Sequence, residues 1–232
     1  QGEYYLTDII KWGNENNLSV NASPLENNEE IFGINSKLHL EEATSLLNQR
    51  VLENLMTDGV TIADRNSTWI SPETEIGKDT IIYPSTYITG KNKIGSNCKI
   101  GPFAHLRGDV IVEDNVKIGN FVEVKKAHIH ENTNACHLSY IGDAEIGANV
   151  NIGAGTITAN YNPLTKSKTK TVLKDNVKIG SNSVLVAPVT VEEGANVGAL
   201  SIITKDVPAW SLAITRSPLK VLENWVKRVL NK

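Results

Sequence analysis

Aliphatic side chains return at every sixth position over much of the chain. The repeat runs from Ile76 to Val124, slips by one residue before Ile129, and, after a break, extends from Leu173 to Ile203. A helix needs a period near 3.6 residues and an ordinary strand a period of two, so neither explains this repeat. The pattern predicts a hexapeptide solenoid, a mainly β fold in which three hexads close one triangular coil of about 18 residues.

Each repeating aliphatic residue is expected to point into a coil. Four residues later a second inward position is predicted, because small or β-branched side chains recur there: Thr80, Thr86, Cys98, Ala104, Val116, Val122, Thr156, Val177, Ser183, Ala195 and Ser201. Stacked coils repeat at strand spacing, about 4.8 Å, and each coil makes its ladder hydrogen bonds to the coils above and below.

Two segments outside the solenoid have helical spacing of apolar residues. Residues 38–58 are predicted to form a linker helix, with Ser36 as its N-cap and Gly59 as its end. Its expected apolar face is Leu40, Ala43, Leu47, Val51 and Leu55. Residues 218–231 are predicted to form a C-terminal helix that caps the last coil or crosses to a neighbouring chain.

The hexads stop between Thr158 and Lys170, where the sequence is polar and basic. A solenoid cannot absorb such a segment, so we expect an extruded loop. Loops that leave a rigid scaffold often cover binding sites. The alternative is a tolerated surface insertion.

Arg107 and Lys125 each follow an inward aliphatic residue and lie one full coil apart. They should therefore stack side by side, where two cations repel unless an anion lies between them. The pair indicates a phosphate or carboxylate site, which Arg can bind with two hydrogen bonds. The alternative is a surface network in which Glu123, Glu113 or Asp109 neutralises the two cations.

The slip in the repeat before Ile129 makes the next coil one residue shorter than the others. Glu123 is then expected beside Tyr140, and His137 is expected in a stack between Asn120 and Ala154. His137 would lie near the anion site and the base of the loop. Imidazole accepts protons at neutral pH, so His137 is the candidate general base.

A metal site is a second interpretation of His128, His130 and His137. His128 is expected to point inward and His130 to lie on the following face, so the three should not converge within one chain. A site shared between chains stays open.

Composition narrows the class of protein. The 232 residues carry 23 basic and 26 acidic side chains, a net charge of −3, which does not suit a nucleic-acid binder. Two cysteines argue against a disulfide framework, and no apolar stretch has the length of a membrane span. We expect a soluble, cytoplasmic protein with no nucleic-acid or membrane partner.

Four blocks are more specific than the hexads: residues 100–107, 119–126, 136–143 and 151–161. They closely resemble the acetyltransferase half of the bacterial bifunctional N-acetylglucosamine-1-phosphate uridylyltransferase / glucosamine-1-phosphate acetyltransferase family. The resemblance spans essentially the whole chain. It implies a left-handed parallel β-helix, the fold of hexapeptide acyltransferases, and a homotrimer with sites between subunits.

The resemblance also implies a reaction and its residues. The acetyl group of acetyl-CoA, a co-substrate, would pass to the amine of glucosamine 1-phosphate, a step toward UDP-N-acetylglucosamine and the cell wall. His137 would be the base. The sugar phosphate would be held by Arg107, Lys125, Tyr140, Asn151 and Lys166. The acetyl-CoA channel would be lined by Ala154, Asn160, Tyr161, Ser181, Ala199 and Arg216.

By the same resemblance, residues 1–37 are a remnant of the uridylyltransferase domain, 38–58 a linker helix, and 59–232 the acetyltransferase domain. The family's glycine-rich nucleotide loop is missing, so uridylyltransferase activity is not expected. Asn35 matches a magnesium ligand that would work only in the intact domain, so Mg²⁺ is expected only for the missing half.

Two rival functions stay open. One is a metal hydratase on the same fold that uses the histidines. The other is a non-catalytic trimerisation module. Metal content separates the first from an acetyltransferase, and release of thiol from acetyl-CoA separates the second.

Overall fold

The repeating aliphatics form the inside of a parallel β-helix in the computed structural model, which describes residues 2, 5–26, 28–215 and 217–230. Its strands are short and follow the hexads. They are β1 (Thr61–Ile62), β2 (Trp69–Ile70), β3 (Thr74–Ile76), β4 (Ile81–Ile82), β5 (Tyr87–Thr89), β6 (Asn92–Ile94), β7 (Lys99–Ile100), β8 (His105–Arg107), β9 (Val110–Val112), β10 (Lys117–Asn120), β11 (Glu123–Ile129), β12 (Asn134–His137), β13 (Tyr140–Ile146), β14 (Asn151–Ile152), β15 (Ile157–Ala159), β16 (Tyr161–Asn162), β17 (Ser167–Lys168), β18 (Thr171–Leu173), β19 (Lys178–Ile179), β20 (Val184–Val186), β21 (Val189–Val191), β22 (Asn196–Val197), β23 (Ile202–Ile203) and β24 (Leu212–Ala213).

Three faces of parallel strands make the solenoid. One face has the order β1-β4-β7-β10-β12-β14-β19-β22-β24, and a second has the order β2-β5-β8-β11-β13-β15-β20-β23. The third contains β3, β6, β9, β18 and β21, and it joins the second through β11 and β13, the two seven-residue strands. The expected fold class, a left-handed parallel β-helix, is confirmed.

Coil length sets which residues become neighbours. Tyr87 pairs with His105 across a coil of three full hexads, whereas Glu123 pairs with Tyr140 across the coil that is one residue shorter. Ile157 pairs with Val184, and the coil between these two is longer than any regular coil. This long coil contains the antiparallel β16–β17 hairpin, so the extruded loop is confirmed.

The interior has the two inward positions that the hexads predict. All the repeating aliphatics from Ile82 to Ile203 are buried, and Ile76, at the start, is partly buried. The second set, which includes Thr80, Cys98 and Ser183, is also buried. Buried hydroxyls bond within the coils; for example, Ser183 donates to the Gly180 carbonyl at 2.7 Å.

Helices are α1 (Asp8–Glu15), a 3₁₀ helix (Asn28–Ile31), α2 (Lys37–Thr57) and α3 (Trp225–Leu230). The predicted linker helix is α2, displaced by one residue at each end. The Ser36 hydroxyl accepts from the His39 N–H at 3.1 Å, as expected of an N-cap. Gly59 ends the helix with φ +98°, a conformation that glycine tolerates best.

The buried face of α2 agrees with the predicted one at Leu55 and, in part, at Val51, but differs elsewhere. Leu40 and Leu47 are exposed, whereas Asn48, Leu52 and Leu55 are buried. Asn48 sets this orientation: its side chain donates to the Thr68 carbonyl at 2.8 Å and accepts from the Ile70 N–H at 3.1 Å. A polar residue therefore lies at the centre of the face, which a search for apolar spacing overlooks.

The C-terminal helix is shorter than predicted. It begins at Trp225 and ends at Leu230, because Asn224 has φ +56°, outside the helical region. Apolar side chains before and within it, such as Leu219, Trp225 and Val226, are exposed.

The chain divides into two compact units, Gln1–Thr44 and Ser45–Lys232. The domain limits at 37 and 58 stay predictions. In the described part of the chain, no helix combines the length and the apolar character that crossing a bilayer requires.

Candidate active site

Arg107 and Lys125 occupy neighbouring rungs of the second face. Strand β8 pairs with β11 so that His105 lies beside Glu123 and Leu106 beside Val124. The same register carries Arg107, the last residue of β8, to the position next to Lys125. The predicted stacking of the two cations therefore agrees with the strand pairing.

Glu123 already engages one of these cations. Its carboxylate accepts a hydrogen bond from the Arg107 guanidinium, 2.6 Å from Nη1 to Oε1. This hydrogen bond, and then the charge of Glu123, raises the pKa of Arg107 above its ordinary value. Both side chains are more than a third exposed. The surface-network alternative is thus realised in part, and a bound anion would compete with Glu123 for Arg107.

Tyr140 and His105 flank Glu123 on the rungs to either side. The pKa of His105 is lowered because the ring is partly desolvated; Glu123 opposes this shift and Arg107 adds to it. Tyr140 folds over Gly142, where an added Cβ would overlap the phenol ring. The absence of a side chain at Gly142 therefore leaves room for Tyr140 at the site.

His137 belongs to a vertical series of residues on the first face, here called the His137 column: Asn120, His137, Ala154, Ser181 and Ala199. Asn120 pairs directly with His137, which confirms the predicted stacking. Further along, the Asn182 N–H donates to the Ala154 carbonyl at 2.6 Å, and the Leu200 N–H to the Ser181 carbonyl at 2.8 Å.

Glycines precede several members of the His137 column. A Cβ at Gly119, Gly153 or Gly180 would collide with backbone of the next coil. The coils therefore pack backbone against backbone beside the column, and His137 itself stays exposed. The column joins the candidate base to three of the residues expected to line the acetyl-CoA channel.

The hairpin carries two more expected residues. Asn160, before β16, is buried and donates to the Asp143 carboxylate, and its amide lies 3.5 Å from the Tyr140 hydroxyl. Tyr161 is exposed. Lys168 lies 3.7 Å from the Asp143 carboxylate. Asp143, which sequence reasoning missed, thus holds the hairpin base near Tyr140.

Two of the described residues that were expected at the sugar-phosphate site, Asn151 and Lys166, are not joined to the two cations. Asn151 lies on the rung between Asn134 and Lys178, and Lys166 is exposed in the hairpin turn. Among the described residues, no hydrogen bond or ion pair joins either to Arg107 or Lys125. Arg216 lies outside the described residues.

Asn35 does not form a magnesium site. It is exposed, and its backbone N–H donates to the His39 imidazole at 3.3 Å. Mg²⁺ requires several oxygen ligands in near-octahedral geometry. A single amide does not fit that requirement.

The prediction that His128 points inward was wrong. In β11 the inward residues are Val124, Ala127 and Ile129, so His128 faces outward with His130, and the two rings stack 4.0 Å apart. The slip in the repeat falls inside β11 and shifts the inward phase there. His137, on the first face, is not part of this histidine pair, as predicted.

Comparison with known proteins gives consistent results. Residues 93–126 match the family model of the bacterial transferase hexapeptide (six repeats). The chain is similar to "Bifunctional protein GlmU" of Thermodesulfovibrio yellowstonii, 45% identical over 98% of this chain and 58% of that protein. The protein of the same name from Clostridioides difficile is 43% identical over 98% of this chain and 56% of its own length.

The chain therefore spans a little over half the length of these relatives. A crystal structure of the polysialic acid O-acetyltransferase OatWY is 16% identical and covers 75% of this chain and 97% of its own, with a TM-score of 0.45. That likeness is too remote to carry an argument about the site.

Proposed function

The chain belongs to the GlmU family, of which it represents about the C-terminal half, and on this premise we propose that it acetylates the amine of glucosamine 1-phosphate with acetyl-CoA. The products are N-acetylglucosamine 1-phosphate and CoA, on the route to UDP-N-acetylglucosamine and the cell wall. The observation that carries the proposal is the placement of His137 in one column with Ala154, Ser181 and Ala199.

His137 acts as the general base. It removes a proton from the sugar amine as the amine nitrogen attacks the thioester carbonyl. The tetrahedral intermediate then collapses, the C–S bond breaks, and the CoA thiolate takes up the proton from His137. The base returns to its starting state, and no covalent acyl-enzyme forms.

Ala154 supplies a candidate oxyanion donor. In the described part of the chain its backbone N–H donates to no carbonyl or side chain. Ala154 follows His137 by one rung in the column. A backbone N–H aimed at the developing negative charge stabilises the transition state more than the ground state.

Arg107 and Lys125 bind the sugar phosphate, with Tyr140, Asn151 and Lys166 as further contacts. Arg107 is the stronger anchor because guanidinium pairs with phosphate through two hydrogen bonds. Asn160, Tyr161, Ser181, Ala199 and Arg216 line the path of acetyl-CoA. Residues that no hydrogen bond or ion pair joins within the described part of one chain, such as Lys166 and Arg107, meet across subunits of a homotrimer, which we propose as the active assembly in the cytoplasm.

A thiol-release assay tests the function. The purified chain is mixed with acetyl-CoA and glucosamine 1-phosphate, and free CoA is followed by a thiol reagent. We expect release that depends on both substrates and falls sharply when glucosamine replaces its 1-phosphate. Release no faster than in buffer would contradict the acetyltransferase and favour the trimerisation module. Light scattering of the same sample tests the trimer.

A further inference from the structure

Two histidines and two glutamates from three successive coils form one cluster on the solenoid surface. His128 and His130 lie at the end of β11, Glu113 follows β9 on the coil before, and Glu145 lies in β13 on the coil after. We call these four residues the histidine cluster. Each is about two-thirds buried, and the proposed acetyl transfer does not use any of them.

Each imidazole lies between the two carboxylates. Glu113 Oε1 lies 2.9 Å from His128 Nε2 and 3.2 Å from His130 Nδ1. Glu145 Oε1 lies 3.1 Å from His128 Nδ1 and 2.8 Å from His130 Nε2. All four ring nitrogens therefore face a carboxylate oxygen.

Proton counting shows that these contacts cannot all be hydrogen bonds when the rings are neutral. A neutral imidazole has one N–H, and its other nitrogen carries a lone pair. Two neutral rings supply two N–H groups for four contacts, so two nitrogen lone pairs must face carboxylate oxygens. When both N–H groups donate to one glutamate, both lone pairs face the oxygen of the other, and that arrangement is repulsive unless a cation lies among the three atoms.

Lys170 distinguishes the two carboxylates, because it pairs with Glu145. Its ammonium lies 2.8 Å from Glu145 Oε2, so Glu145 is held as an oriented anion. Among the described residues, Glu113 has no ion pair with lysine or arginine. With His128 Nδ1–H and His130 Nε2–H donating to Glu145, the lone pairs of His128 Nε2 and His130 Nδ1 point to Glu113.

We propose that a zinc ion binds between Glu113 Oε1, His128 Nε2 and His130 Nδ1, with Glu145 accepting the second N–H of both histidines. A carboxylate that holds the far ring nitrogen of a metal-bound histidine is a common outer partner of zinc sites. Ligand atoms of a tetrahedral zinc ion lie about 3.3 Å apart, given bonds of about 2.0 Å. The two Glu113 distances need to open by only a few tenths of an ångström.

Ligand chemistry favours zinc over magnesium or calcium. The two alkaline-earth ions prefer oxygen ligands, whereas two imidazoles and one carboxylate suit zinc. The fourth position is left for water, because the protein supplies three ligands.

An open groove of about 410 Å³ leads to the cluster from the side of His130 and Glu145. Asp175, Glu192 and Glu193 line it, together with Lys174. The excess of negative charge in this groove favours entry of a cation.

Calorimetric titration of the chelator-treated full chain with zinc chloride near neutral pH tests the proposal. We expect one ion per chain. Glu113→Gln should abolish this binding, and Glu145→Gln should weaken it by about 10- to 100-fold. Glu131→Gln removes a charge from an exposed neighbour without removing a ligand, so its affinity should match that of the parent chain. His39→Gln controls for binding by an unrelated histidine.

Nitrogen-15 spectra of the imidazoles give a readout that a simple loss of fold does not imitate. With zinc bound, His128 should coordinate through Nε2 and His130 through Nδ1, which is a different nitrogen in each ring. If Glu113→Gln unfolds the chain, His130→Gln serves as the second ligand variant. An absence of zinc binding, affinity unchanged by Glu113→Gln and His130→Gln, or coordination through the opposite nitrogens would overturn the proposal.

Discussion

The Arg107 guanidinium donates to the Glu123 carboxylate at 2.6 Å, one rung from the position of Lys125. Glu123 therefore already pairs with a cation, Arg107, that is proposed to bind the sugar phosphate. An exposed ion pair of this kind contributes little to stability, so it can open when a doubly charged phosphate arrives. Substrate binding at this site is thus an exchange of one anion for another.

Replacing Arg107 and replacing Glu123 should change the affinity for glucosamine 1-phosphate in opposite directions. Arg107→Ala is expected to raise the KM for glucosamine 1-phosphate by about ten- to a hundredfold, the range for a lost hydrogen bond to a charged group. Glu123→Gln should lower that KM, because the phosphate no longer competes with a carboxylate. Steady-state kinetics with acetyl-CoA saturating measures both. An increase of KM in Glu123→Gln would contradict the competition.

Loss of the base should affect turnover rather than binding. His137→Ala is expected to lower kcat by about 10²- to 10⁴-fold, the usual contribution of a general base, with little change in sugar-phosphate affinity. Thiol release gives kcat, and calorimetric titration with the sugar phosphate gives affinity. His39→Ala, in the first unit of the chain, is the matched control and should leave kcat unchanged. Full turnover in His137→Ala would remove the proposed base.

Acid should destabilise the fold through His105. Its folded pKa lies below the ordinary value of 6.5, so between these two values the unfolded chain binds a proton that the folded chain does not. The free energy of unfolding therefore falls as the pH drops below 6.5. Below the folded pKa of His105, this residue causes no further loss. His105→Gln should lose this part of the pH dependence.

Urea unfolding about one unit above and one unit below the ordinary histidine pKa measures the effect. The parent chain should lose more free energy of unfolding between the two conditions than His105→Gln does. Other titrating groups contribute equally to both chains, so the difference isolates His105. Equal losses would show that burial of this ring does not shift its pKa.

Asn48 should stabilise the first coil. Its side chain satisfies the Thr68 carbonyl and the Ile70 N–H, both on buried residues. Asn48→Ala leaves both groups unsatisfied, at a cost of about 1–3 kcal/mol each. Gln49→Ala, at the exposed adjacent position, should have little effect. Thermal unfolding measures the melting temperatures of the two variants, and Asn48→Ala should melt at the lower temperature. Equal melting temperatures would contradict the role of Asn48.

Residue spacing predicted much of the site because a solenoid converts distance along the chain into distance in space. One slipped residue was enough to predict that Glu123 pairs with Tyr140 and Asn120 with His137. The same reasoning failed for His128, because the slip falls inside β11 and spacing does not show which residue of the strand absorbs it. It also missed Asp143, whose role depends on a side chain returning from the hairpin.

The amino-acid sequence alone determined the period of six, the inward residues of the regular hexads and the pairing of rungs, since each follows from local geometry repeated along one axis. Tertiary structure decided which side chains from different coils contact each other: Arg107 with Glu123, and His128 and His130 with two glutamates. It also decided which face of α2 is buried. Side-chain directions at corners and competition among charges depend on neighbours from several coils at once. No single repeat contains that information.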